Sequence, residues 1–172
     1  MSRILIIGNA GGGKSVLARK LAAARGLPCF EVDAITWQPG WVATPEAEYR
    51  AAHAAMIAGE AWIIEGLGWD ESLPARFARA TEVILIDMPL WMHFWFAAER
   101  QFKWLQGKLA HPVAGIAEPP TTEAMFQTLW ETDQQSMPII RRLTDEAEAA
   151  GKPVTRIGSV EELDALTAGI GA

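Results

Sequence analysis

The sequence predicts an α/β fold, a five-stranded parallel sheet covered by helices on both faces, and three observations carry that expectation. Short apolar runs at 4–7, 61–65, 81–87 and 153–157 alternate with segments of helical period. The first run passes without interruption through a glycine-rich turn into a helix start. Acidic residues Asp33, Glu65 and Asp87 stand at the carboxyl ends of predicted strands, the edge at which parallel α/β sheets bind ligands.

Composition narrows the class. The 172 residues are half apolar, enough for the core of one domain, and no repeat or boundary divides them. Twenty-one acidic against 15 basic residues give a formal charge of −6, which opposes direct nucleic-acid binding. Cys29 is the single cysteine and excludes an internal disulfide framework. The N-terminus enters a strand with no signal-peptide pattern, so the expected location is cytoplasmic. The apolar segment 88–96 ends at Glu99 and Arg100, short of the roughly 20 residues that span a bilayer, and reads as core or partner surface.

The N-terminal stretch runs Ile4-Leu5-Ile6-Ile7, then Gly8-Asn9-Ala10-Gly11-Gly12-Gly13-Lys14-Ser15. This is GxxxxGKS, the P-loop pattern, in its required strand-loop-helix setting. Glycines let backbone N–H groups converge on phosphates, and the helix adds the positive end of its dipole. Gly8, Asn9, Ala10, Gly11, Gly12, Gly13, Lys14, Ser15 and Val16 are the expected nucleotide ligands. Lys14 should reach the β- and γ-phosphates, and Ser15 should offer its hydroxyl to Mg²⁺. Val16, Leu17, Leu21 and Ala24 form the helical apolar repeat of a helix over 14–25, capped by Gly26.

The second strand carries Cys29, Phe30, Val32 and Ile35 around Glu31 and Asp33. Trp37-Gln38-Pro39-Gly40-Trp41 is a shaped loop, with Pro39-Gly40 at the centre of a type II turn. Thr44-Pro45-Glu46 opens a helix to Ala58. The third strand ends at Glu65-Gly66-Leu67-Gly68, and the fourth, over 81–87, ends in a Walker-B-like Asp87. The helix after Pro89 carries Trp91, Phe94, Trp95 and Ala98 on one stripe, a pattern more often core than surface. Residues 107–120 lack periodicity and read as a mobile lid segment. Helix returns from Thr122, breaks near Pro138 and stops at Gly151. A fifth strand and a capping box, Ser159-Val160-Glu161-Glu162, close the pattern.

On these residues the chain resembles the P-loop small-molecule kinases of the adenylate-kinase/shikimate-kinase group. The closest resemblance is to bacterial adenylate-kinase-related proteins labelled DNA topology modulation proteins. It is carried by 8–15, by Asp33-Ala34-Ile35-Thr36-Trp37-Gln38-Pro39-Gly40-Trp41, by Trp62-Ile63-Ile64-Glu65-Gly66, by Ile86-Asp87 and by Gly151-Lys152-Pro153-Val154. The resemblance implies a P-loop NTPase three-layer sandwich of strand order 2-3-1-4-5, one domain over 1–172 with a lid around 100–122, and use of ATP with Mg²⁺. It further implies transfer of the γ-phosphoryl group to a small acceptor held between the second-strand loop and the P-loop. The sequence itself leaves monomer and homodimer both open.

The expected roles follow. Asp33 orients or deprotonates the acceptor or holds a metal-bound water, with Glu65 the reserve base. Trp37, Trp41 and Gly66 border the acceptor. Asp87 joins Ser15 at the metal, Arg100 and one of Arg141 or Arg142 clamp phosphate, and Arg156 lies near the base. The chain departs from the resemblance at 97–101 and 133–137, where arginines are few, and in having Glu65-Gly66 for an Asp-Gly pair. Those departures support an alternative, a nucleotide-binding regulator with little turnover. His53, His93 and His111 have no metal-ligand spacing and read as structural or surface residues.

Overall fold

The computed structural model describes residues 1–113 and 115–170. Five parallel strands make the sheet: β1 (Arg3–Gly8), β2 (Cys29–Glu31), β5 (Trp62–Glu65), β6 (Glu82–Ile86) and β7 (Val154–Ile157). Their spatial order is β2-β5-β1-β6-β7, which counts along the sheet strands as 2-3-1-4-5. A two-residue-per-strand hairpin, β3 (Trp37–Gln38) with β4 (Val42–Ala43), stands apart.

The two faces follow from strand alternation. Ile4 and Ile6 of β1 point to one side, where they meet Leu17, Ala18 and Leu21 of α1 (Lys14–Arg25), with Leu163 and Leu166 of α8 (Val160–Ala168) packed alongside. Leu5 and Ile7 point to the other side. There they meet Tyr49 of α3 (Glu46–Ala58), Phe77 of α4 (Leu73–Arg79), and Ile140 and Leu143 of α7 (Met137–Ala149). A satellite cluster joins Phe94 and Ala97 of α5 (Leu90–Leu105) to Met125, Phe126 and Leu129 of α6 (Thr122–Glu131).

Three features differ from the sequence expectation, and the expected Pro39-Gly40 turn is found at the tip of a hairpin. Strand β2 ends at Glu31: Val32 makes the last bond of the β2–β5 ladder, N–H to the Glu65 carbonyl, and its own carbonyl then turns to accept from Ile35 N, Thr36 N and Thr36 Oγ1. Asp33 therefore opens a one-turn helix, α2 (Asp33–Thr36). The loop 37–41 is the turn of the β3–β4 hairpin, with Gly40 at φ 79° and Trp41 at φ 61°. Val16 faces solvent, 53 % exposed, whereas Leu17 and Leu21 are buried. On α5 the stripe runs outward: Trp91 and Trp95 are 67 % and 69 % exposed, and Phe94 alone of the expected set packs inward, against Phe126.

The break near Pro138 is a five-residue π-helical stretch, Thr132–Ser136, with Pro138 in the first turn of α7. In the last helix Ser159 Oγ accepts from Glu162 N, while the Glu162 carboxylate reaches Gly158 N. Among the described residues, no helix is long and apolar enough to cross a membrane.

Candidate functional site

The loop between β1 and α1 takes its shape from its own glycines and from two side chains packed against it. Gly8 lies at φ 141°, and a Cβ there would run into the Ile86 carbonyl; a Cβ on Gly11, at φ 79°, would sit 2.9 Å from the His93 carbonyl oxygen. Two side chains hold the loop from outside. Asn9 Oδ1 accepts from Ala10 N, and its Nδ2 donates to Leu129 O, 2.9 Å away on α6. His93 Nδ1 lies 2.7 Å from Ala10 O. Burial lowers the His93 pKa, so its ring is neutral at neutral pH, and the Nδ1 tautomer carrying hydrogen makes the bond.

Lys14 opens α1 and is buried. Among the described residues its Nζ has one hydrogen-bond acceptor, Asn9 O at 2.7 Å. Burial lowers its pKa; Glu65 and Asp33 oppose that through their charge, and Arg100 adds to it. Ser15 Oγ donates to Glu65 Oε1 at 2.8 Å. The Glu65 carboxyl is pushed upward by burial, against the pull of Lys14 and the Ser15 hydrogen bond. Both members of the Lys14–Glu65 pair thus shift toward neutrality, since desolvation outweighs their mutual attraction. An ammonium, a hydroxyl and two carboxylates, Glu65 and Asp33, converge at the carboxyl edge of the sheet with Arg100 in electrostatic reach.

Glu65 rather than Asp87 meets Ser15 because α1 packs over β5 and β2, on the side of β1 away from β6. Asp87 lies past the other neighbour of β1 and is gripped by Arg141, whose Nε and Nη2 donate to its two carboxylate oxygens at 2.9 and 2.7 Å. Arg156 is also engaged, with Asp145 at 2.7 Å and Glu148 at 2.8 Å. Neither Arg141 nor Arg156 joins the Lys14 group. Arg100 has no carboxylate partner among the described residues.

On the opposite side, Gly66 (φ 108°) passes so close to Val32 that a Cβ would lie 3.3 Å from the Val32 Cβ. This loop is held by Arg76, which donates to Gly66 O at 2.7 Å, to Leu67 O and to Ser72 Oγ at 3.2 Å. Arg76 is fully buried, and desolvation brings its pKa down to about 10. Sequence reading overlooked Arg76 and the loop-holding pair Asn9–Leu129 and His93–Ala10, since none carries a motif.

The tryptophans of the hairpin face the 107–121 segment. Trp37 and Trp41 meet edge-on at 5.9 Å, and Trp41 lies 6.1 Å from Trp104 of α5. Trp41 Nε1 donates to Glu118 O at 2.9 Å, Trp104 Nε1 to Ala117 O at 3.2 Å, and Gln101 Nε2 to Pro120 O at 2.8 Å. Ala114, within the expected lid, lies outside the described residues. Beside α2 runs a groove of about 530 Å³ walled by Phe30, Ile35 and Met56 and the Arg19–Glu31 ion pair, with His111 and Pro112 across it.

A solved structure described as that of a candidate kinase from Chloroflexus aurantiacus J-10-fl is similar over 97 % of this chain and 95 % of its own, at 15 % identity and a TM-score of 0.51. What the two share is a fold. This chain has a P-loop kinase-like fold, and its parallel sheet with flanking helices is that of a P-loop NTPase. Weaker likenesses reach shikimate kinase from Aquifex aeolicus (20 % identity, 78 % of this chain and 98 % of that one, TM-score 0.43). They also reach a gluconokinase from Sinorhizobium meliloti 1021 (14 %, 82 % and 97 %, TM-score 0.44). No protein-family model matches the chain, and no curated protein matches it.

Proposed function

We propose that the protein binds ATP with Mg²⁺ at the P-loop and transfers the γ-phosphoryl group to a small hydroxyl or nucleotide acceptor. Within the kinase-like fold, the sequence resemblance points to the adenylate-kinase-related group. One observation carries the reading: a buried ammonium, Lys14, with one protein acceptor, beside the Ser15–Glu65 hydrogen bond of 2.8 Å. A desolvated lysine so sparsely satisfied fits an anion at the glycine loop. Ser15 and Glu65 fit a hard divalent cation, which offers oxygen-bound charge neutralisation when present.

In this proposal Gly8 to Val16 cradle the phosphates and Lys14 holds their charge. Glu65 takes the metal-side role, and Asp87 supports Arg141 instead. Asp33, opening α2 beside Gly66, orients the acceptor and receives its proton. Arg100 faces the transferred group. The groove beside α2 holds the remainder of the acceptor, and the Trp37–Trp41–Trp104 rings tie the lid segment down next to it. The engagement of Arg141 and Arg156 by carboxylates favours a second reading, a nucleotide-dependent regulator with slow turnover, because it leaves Arg100 as the one arginine of the expected set without a carboxylate partner among the described residues.

ATP consumption across nucleoside monophosphates, nucleosides, sugars and hydroxy acids decides between them. The kinase reading expects one class to raise the rate far above that of Lys14→Met. No acceptor doing so, with ATP still bound, selects the regulator.

A further inference from the structure

Four of the large apolar side chains left exposed among the described residues lie on one face of α5: Trp91, Trp95, Phe102 and Leu105, at 67, 69, 63 and 70 %. With exposed Ala98 between them they recur at spacings of four, three, four and three, so they form one straight stripe. Arg100 and His93 are on the far side of the same helix, toward the P-loop. The stripe therefore belongs to no part of the nucleotide site.

We propose that α5 pairs with α5 of a second copy of this chain, antiparallel about a two-fold axis through Ala98. The stripe is complementary to itself only in that sense. Reversed about Ala98, it sets Trp91 opposite Leu105 and Trp95 opposite Phe102, large side chains on both flanks, with alanine against alanine where the backbones must approach most closely. The Glu99–Lys103 ion pair borders the stripe as a polar rim. The four large side chains present roughly 600 Å² of surface, the upper end of the largest apolar patch on an ordinary monomer, where such patches are often functional. Covered on both copies, this is about 1,200 Å², the lower end of stable interfaces. A formal charge of −6 disfavours the other apolar host, an anionic bilayer surface.

Sedimentation equilibrium of the full chain should give a dimer at micromolar concentration. Trp95→Glu and Phe102→Glu should each weaken it by at least about 30-fold, the loss expected at a central interface residue, with unchanged Mg·ATP affinity and melting of the monomer. A Cys29→Ser background supplies the geometric test: Ala98→Cys should cross-link to its copy under mild oxidant, and Ala54→Cys, equally exposed on α3, should not. A monomer at 100 µM would overturn the proposal, as would a dimer that both glutamates leave intact. So would a wild-type chain that stays monomeric and instead floats with phosphatidylcholine vesicles. If the glutamate variants fail to fold, the cross-linking pair decides alone.

Discussion

Glu65→Gln separates two carboxylates, Glu65 and Asp87, of which the sequence reading puts Asp87 at the metal and Glu65 in reserve as a base. The amide oxygen can still accept the Ser15 hydrogen bond, so the variant removes charge and keeps shape. Stability responds first. Burial raises the Glu65 pKa from its ordinary 4.5, so the folded chain holds that proton more tightly than the unfolded one. A raised carboxyl makes stability fall as pH rises from about 4.5 through the folded value, at about 1.4 kcal/mol per unit within the window. Glu65→Gln should flatten that part of the profile and stay within about 1 kcal/mol of wild type at neutral pH, because it loses the desolvation cost of the charge together with its attraction to Lys14. Metal linkage responds second. Losing one charge beside the cation removes an interaction of about 1.5–3 kcal/mol, so the gain in ATP affinity from Mg²⁺ should shrink by about 10- to 100-fold. Calorimetry with ATP in Mg²⁺ and in chelator, on wild type, Glu65→Gln and Asp87→Asn, reads this directly. If Glu65→Gln keeps the full Mg²⁺ gain while Asp87→Asn loses it, the proposed metal-side role of Glu65 is wrong.

Lys14→Met should lower ATP affinity by about 100-fold or more, two charge-assisted hydrogen bonds being lost, while circular dichroism and melting stay near wild type. Asp33→Asn should reduce turnover by about 100-fold or more with ATP affinity held within about threefold; equal loss of both would move Asp33 to nucleotide binding. His53, whose pKa burial brings down to about 4 with help from Arg76, gives a pH signature of opposite sign to Glu65. The fold binds fewer protons there than the unfolded chain, so stability is lost as pH falls from 6.5 toward 4, by at most about 3 kcal/mol. His53→Phe keeps the ring beside Tyr49 and should lose that dependence in a difference melt against wild type.

What the sequence disclosed was local. The first helix and its Gly26 cap sit at 14–26 as the repeat and glycine require, since both signals act within one turn. The alternation of apolar runs and helices likewise gave a parallel sheet, and the resemblance its order. The sequence reading sets Asp87 beside Ser15; that Ser15 meets Glu65 was not legible, because both strands flank β1 and only the path of α1 over β5 brings Ser15 to one of them. The α5 stripe was misread for a related reason: period locates an apolar face but cannot say what covers it. Asp33 left its strand because the Val32 carbonyl turns to accept from Ile35 N, Thr36 N and Thr36 Oγ1, a helical turn that the apolar alternation over 29–35 does not encode. The groups holding the loop, Asn9 through Leu129 and His93 through Ala10, are long-range.

Those two ties bear on how fast a nucleotide can be captured. A glycine-rich segment free in solution loses more conformational entropy on ordering than any other kind of chain. Here α5 and α6 have already imposed the shape, so the ordering is complete when the protein folds and none is left for the encounter. Association should then be a single concentration-dependent phase, with no slow rearrangement following it. The same arrangement sets the point of failure: unwinding α6 at Leu129 would release Asn9 and give the loop its freedom back, so nucleotide affinity should fade with the loosening of that helix before the sheet itself melts.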